Sequence, residues 1–369
     1  MTEQDPNSER ESNLVKGFNN NAEEDNRESK DPKKITKFII IACTIIAVIA
    51  IVLVVLLFTV FKKDDNDDNN NEDEYHEESY SEIDTIPNSE MNRARAAFKQ
   101  YDYIDPVNNS LILEYNLFIP SGYTNEKKYP LVLFMEDGSL VGLDKDIKAP
   151  ITETVGGPIW ATDRMQKKYE SFVLAPQYRV AIIDDNHGYS KSEYINVTVR
   201  LIKDLMKNYT IDENRIYSTG QSMGAMTTLY LLANYPNFLA AGLICDGQWR
   251  MDELVGIENA TFTYVAAGGD LKAFTGQSEV KKKLDDLNIP YGNLPDINAK
   301  DNITELNNNA TNVYNLKYSK NFITFINGTV LPSNKDIGYN EHMCSFKYGY
   351  RIDSVRDWLL SQTKKIEKI

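Results

Sequence analysis

Apolar and polar positions divide the chain into stretches of different character. Residues 1–37 carry few apolar side chains and are rich in Asn, Glu, Ser and Asp. Such a composition cannot offset chain entropy, and a disordered tail is expected there. From Phe38 to Phe61 there are 24 consecutive positions without a charge, nearly all Ile, Val, Leu, Ala and Phe. At ~1.5 Å per residue a helix over that run would be roughly 36 Å long, enough to cross a ~30 Å hydrocarbon core with some tilt. A cleaved signal peptide has a shorter apolar core nearer the N-terminus. The run is therefore read as a single transmembrane anchor of the signal-anchor kind.

From about residue 87 onward, apolar runs alternate with helical patterns. Leu111 to Ile119 alternates like an antiparallel strand and ends at Pro120-Ser121-Gly122. Leu131 to Met135 and Phe172 to Ala175 are continuously apolar, as in strands buried on both faces. Further strands are expected at Arg215–Thr219, Gly242–Asp246, Phe262–Ala267 and Phe322–Ile326. Helices are expected at Asn196–Asn208, from the strand at 219 through Asn234, at Ser278–Asn288, and from Ile352 to about Lys365. Strands alternating with helices predict an α/β domain with a doubly wound, mostly parallel sheet.

Charge refines this division. The net charge is −14, yet residues 64–84 alone hold eleven Asp and Glu and no Lys or Arg. Residues 62–86 are read as a self-repelling acidic linker. The chain from 87 to 369 is close to neutral and offers no basic patch for nucleic acid. Lys30, Lys33, Lys34 and Lys37 precede the apolar run, and only Lys62 and Lys63 follow it before the acids begin. That bias places the tail in the cytoplasm and the large domain outside it, with the lipid bilayer as one partner. Three cysteines, Cys43, Cys245 and Cys344, show no Cys-x-x-Cys spacing, so a zinc or thioredoxin-type site is not supported, and no cofactor or metal is expected. Cys245 and Cys344 are read as either a pair or two free thiols.

Candidate chemistry centres on Gly220-Gln221-Ser222-Met223-Gly224, a Gly-x-Ser-x-Gly match between a β-branched strand and an apolar helix. That is where a nucleophile elbow must lie. The glycines are needed because the residues two before and two after the serine approach each other where strand meets helix. The amide of Met223 then points at the site and can donate to an oxyanion. A serine nucleophile needs a base, and the chain has three histidines, His76, His187 and His342. The chain order serine, acid, histidine selects His342. The acid should end a strand between the two. Asp270, after Phe262–Ala267 and a Gly-Gly turn, is the first choice, and Asp246 is the second. Either aspartate could instead simply cap the following helix.

With these residues in view, the domain resembles the α/β-hydrolase family of serine esterases and predicted peptidases related to prolyl oligopeptidase and polyhydroxybutyrate-depolymerase-like esterases. The pieces that carry the resemblance are Tyr129–Phe134, Phe172–Tyr178, Arg215-Ile216-Tyr217, the elbow, Gly269-Asp270, Glu341-His342 and Val355–Leu360. Together with the anchor expected from residues 38–61, it implies a carboxylesterase working through Ser222, Asp270 and His342 on a small-molecule or polymer-linked ester. A serine peptidase of the same fold is the alternative, although nothing here resembles a propeller domain. A catalytically weak binding or adhesion ectodomain is another. The amides of Asp137 and Gly138 are candidates for the second oxyanion donor, and Gln221, Trp160 and Trp249 for contacts to substrate.

One departure stands out. Where the family usually carries His-Gly, this chain has Glu136-Asp137-Gly138. A carboxylate ~6 Å from an oxyanion would repel it by roughly 3 kcal/mol at an effective dielectric of ~20. That corresponds to about a hundredfold in rate. Both side chains are therefore expected to turn from the site or to pair with a cation, while the loop contributes a backbone N–H.

Overall fold

A computed structural model describes residues 86–142, 144–186, 188–332 and 340–364. The expected tail, apolar span and acidic linker lie outside these residues, as do His76 and His187. Among the described residues no helix is long and apolar enough to cross a membrane.

In chain order the elements are α1 (Asn88–Ala96), β1 (Lys99–Ile104), β2 (Ile112–Phe118), β3 (Tyr129–Met135), α2 (Ala149–Thr152), α3 (Asp163–Lys168) and β4 (Phe172–Gln177). A two-strand ribbon of β5 (Ile183–Asp184) and β6 (Ser190–Lys191) follows, then α4 (Tyr194–Asn208), β7 (Ile211–Gln221), α5 (Met223–Asn234) and β8 (Ala241–Cys245). The remainder is β9 (Phe262–Ala267), α6 (Leu271–Asp286), β10 (Gly292–Ile297), α7 (Ile303–Tyr314), β11 (Lys320–Phe325), α8 (Glu341–Arg351) and α9 (Asp353–Ser361).

Nine strands form one sheet in the order β1-β2-β4-β3-β7-β8-β9-β11-β10. β1 and β2 pair antiparallel, as do β2 and β4, and every pair from β4 to β10 is parallel. Successive residues of β3 explain the continuous apolar run. Leu131, Leu133 and Met135 enter one core with α4 and α5, while Val132 and Phe134 enter a second core with α1, α8 and α9. Both faces of the sheet are thus covered, which is the condition for an all-apolar strand.

The boundaries move where local sequence misleads. α6 begins at Leu271, seven residues before the expected Ser278. Its first turns carry Thr275 and Gly276, which weaken the helical signal. Gly276 is there for space, because a Cβ would lie 2.2 Å from that of Gln248. β10 contains Gly292, Pro295 and Asp296, all poor strand formers, and its place at the sheet margin makes them tolerable.

Candidate active site

β7 runs without a break from Ile211 to Gln221, and α5 starts at Met223. Ser222 is the single residue between them, with φ 50° and ψ −113°. A non-glycine residue at positive φ is strained. The turn is held by hydrogen bonds from the Ser222 N–H to the Cys245 carbonyl at 3.1 Å and from the Gly224 N–H to the Glu136 carbonyl at 2.9 Å. A Cβ on Gly220 would sit 2.4 Å from the Gly224 carbonyl carbon, and one on Gly224 would sit 2.1 Å from the Met135 carbonyl oxygen. Both glycines are therefore required by backbone packing around the serine.

His342 and Asp270 arrive from separate loops. His342 lies in the first turn of α8, a helix that periodicity did not predict and whose cap is Asn340, accepting from the Met343 N–H at 2.9 Å. Its Nε2 lies 2.7 Å from Ser222 Oγ, and its Nδ1 lies 2.5 Å from Asp270 Oδ2. The other oxygen of Asp270 accepts from the Ala273 N–H at 3.2 Å and caps α6. The helix cap and the histidine partner, posed as alternatives by the sequence, are one carboxylate with a different task for each oxygen. Burial pulls the pKa of His342 down, but the hydrogen bond and charge of Asp270, with Asp246 and Asp137 beyond, outweigh it and hold the pKa above its ordinary value.

Met223 is the first residue of α5, so its N–H has no acceptor within the helix. The loop after β3 faces the same elbow, as the Glu136–Gly224 backbone hydrogen bond shows. Its two carboxyls are turned to other tasks. Glu136 is wholly buried, and its Oε1 accepts from the Tyr178 N–H at 3.0 Å. Burial pushes its pKa up to about 9, with Asp137 and Glu153 adding to the rise against the Tyr178 hydrogen bond. At neutral pH it is an uncharged carboxylic acid. Asp137 caps the short turn Gly138–Leu140 by accepting from the Ser139 N–H at 2.9 Å, and its Oδ2 accepts from Gln221 Nε2 at 2.7 Å. Among the described residues neither carboxyl pairs with a cation.

Other expected contacts are placed elsewhere. Trp160 is fully buried, with Nε1 donating to the Gly156 carbonyl at 2.8 Å. Trp249 is 1% exposed and donates to Glu253 at 2.9 Å. Both indoles are core anchors that present no surface to a substrate in this structure. Gln221 is buried, and its amide donates to Asp137. Asp246 is fully buried at φ 50° and accepts from the Ala267 N–H at 2.7 Å, so it does not take the histidine. Burial raises its pKa to about 7. Cys245 and Cys344 are free thiols. Among the described residues no group of three His, Cys, Asp or Glu could hold a metal ion. A shallow cleft of about 500 Å³, lined by Tyr123, Lys128, Met206 and Tyr209 among others, opens where β3 and β7 begin. Ser222 follows the other end of β7, so this cleft is separate from the site.

One residue that sequence reasoning passed over is Glu341. It is 7% exposed and accepts from the N–H of Gly269 at 2.8 Å and from that of Gly328. Its only signal was an acid immediately before the chosen histidine.

No protein-family model matches the chain, and no curated protein matches it. Solved structures do. A thermostable esterase aligns over 74% of this chain with a TM-score of 0.57 and 21% identity. The fold is that of the α/β-hydrolases. The match spans 64% of that esterase's own length. A feruloyl esterase module from Clostridium thermocellum aligns over 77% of this chain and 95% of its own, with TM-score 0.48 and 13% identity. The fluorophosphonate-binding serine hydrolase F of Staphylococcus aureus aligns over 72% of this chain and 98% of its own, with TM-score 0.44 and 10% identity.

Proposed function

We propose that this chain is a serine hydrolase of carboxylic esters, anchored in a membrane by residues 38–61 with its hydrolase domain outside the cytoplasm. The observation that carries the enzymatic part is the relay Ser222–His342–Asp270, with spacings of 2.7 and 2.5 Å at a strained elbow. The anchor rests on the uncharged run and on the lysines before it.

In this reading Ser222 Oγ attacks the ester carbonyl carbon while His342 Nε2 takes its proton. Asp270 accepts from Nδ1–H, which fixes the tautomer and stabilises the imidazolium. The carbonyl oxygen becomes an alkoxide held by the Met223 N–H and by a second N–H from Asp137 or Gly138. On collapse the C–O bond to the alcohol breaks, and His342 protonates the leaving oxygen. Water then repeats the sequence on the acyl-enzyme, freeing the acid and restoring the serine hydroxyl.

A fluorophosphonate probe applied to the full-length protein should label it, and Ser222→Ala should abolish both labelling and turnover. Wild-type protein that neither labels nor hydrolyses any ester would sink the reading in favour of a binding ectodomain. A matched panel of ester and peptide substrates decides the bond cleaved, with peptide turnover exceeding ester turnover pointing to a peptidase. Protease added to intact cells should remove the domain and spare the tail; a protected domain would reverse the topology.

A further inference from the structure

We propose that Glu341 is a positioning residue, a buried clamp that holds the acid loop and the base loop of the site in register. The proposal rests on the triad reading above. Asp270 and His342 reach the site from loops after β9 and β11, strands adjacent in the sheet but separated in the chain by α6, β10 and α7. Nothing in the chain's connectivity fixes one loop against the other to within a hydrogen-bond length. Glu341 does. It immediately precedes His342, and one of its oxygens accepts from the N–H of Gly269, which immediately precedes Asp270, at 2.8 Å. Its second oxygen accepts from the N–H of Gly328 in the loop after β11. One carboxylate therefore joins the turn before the acid, the first turn of the helix that carries the base and the loop just after β11.

The glycines fit this task. A Cβ on Gly269 would lie 2.3 Å from the Glu341 carboxyl carbon. Gly328 has φ +86°, which L side chains rarely adopt. The acid loop also touches the end of β11 directly, the Gly268 N–H donating to the Phe325 carbonyl at 2.8 Å. Two N–H donors need an acceptor at each oxygen, which a carboxylate supplies and a carboxamide does not. With Glu341 only 7% exposed, water cannot readily substitute for a lost oxygen.

The test uses the full-length protein with p-nitrophenyl acetate across the pH range. Glu341→Gln keeps the size of the side chain and faces one N–H with an NH2. It should lower kcat by about tenfold or more and leave KM within about threefold, as expected when geometry for the chemical step is lost rather than binding. The charged groups facing the imidazole are Asp270 after β9, Asp246 after β8 and Asp137 after β3, all of which favour its protonation. Loosening Asp270 should therefore move the acidic limb of kcat/KM to lower pH. A purely structural role would lower the melting temperature and the active fraction but leave that limb in place, and this outcome overturns the proposal. So does wild-type kcat in Glu341→Gln. If that variant fails to fold, Glu341→Asp, one methylene shorter, should show a smaller kcat loss with the same shift. Hydrogen exchange on the wild-type protein needs no variant and no turnover. The Gly269 and Gly328 amides should be protected, and exchange at the rate of open loops overturns the clamp even if Ser222 labels normally. Absence of Ser222 labelling with both amides protected would instead count against the enzymatic reading.

Discussion

In the proposed reaction a carbonyl oxygen becomes an alkoxide, and the protonation state of one neighbouring side chain would then bear directly on the rate. Glu136 looks hostile to the oxyanion when written as a carboxylate, but burial keeps it neutral with a pKa of about 9. Glu136→Gln, an isostere of the protonated acid, should keep the neutral-pH rate within about threefold. As pH rises through 9 the wild-type rate should fall as the carboxylate forms, and the Gln variant should escape that particular fall. The linkage sign agrees. The folded state binds this proton more tightly than the unfolded chain, so the stability contribution is complete below the ordinary glutamate pKa and declines up to about pH 9. At pH 7 the loss is on the order of 3 kcal/mol. Denaturant titrations at pH 5 and pH 8 should therefore show a shallower decline in the variant. For His342 burial lowers the pKa, and Asp270 more than offsets it. Asp270→Asn keeps a cap for α6 but removes the charge that raises the imidazole pKa. It should cost about 10³–10⁴ in kcat and shift the acidic limb downward, with little change in melting temperature.

Secondary-structure elements were readable where burial is two-sided or periodic. β3, β4, β7, β8, β9 and β11 are apolar because helices cover both faces of the sheet, and that left a trace in the sequence. β1 and β10 are margins of the sheet, where only part of each strand is buried and the apolar signal thins. α8 went unread because the face it buries includes Glu341, Ser345 and Arg351, a pattern that does not look apolar. The meeting of Ser222, His342 and Asp270 was legible because the chemistry proposed for them restricts residue type and chain order. The oxyanion loop, the two tryptophans and Glu341 were not, since their roles depend on which way a side chain turns. The strand-to-helix elbow is the element with least tolerance. Gly224→Ala would drive a Cβ into the Met135 carbonyl, backbone against backbone. It should cost about 1–3 kcal/mol and remove activity with the nucleophile itself unchanged. Wild-type turnover in that variant would show that the elbow relaxes more freely than its geometry implies.

At the scale of the whole molecule, the proposed anchor would confine many copies of this domain to one surface, where their sheets meet at high local density. Open strand margins are templates for pairing between copies. Here both margins are poor templates. β1 exposes the charged Lys99 and Asp102, along with Ile104, between part-buried Gln100 and tyrosines. β10 carries Pro295, which lacks an N–H, and its register with β11 slips between Leu294 and Ile297, with Asp296 at φ 56°. Replacing Pro295 and Asp296 with valine should leave the triad intact and make the protein associate as its concentration rises, a change that light scattering would register. A double variant that stays monomeric at all concentrations would place the protection elsewhere. The irregular last strand, the least regular part of the sheet, would then keep a crowded population of these domains separate instead of joined edge to edge.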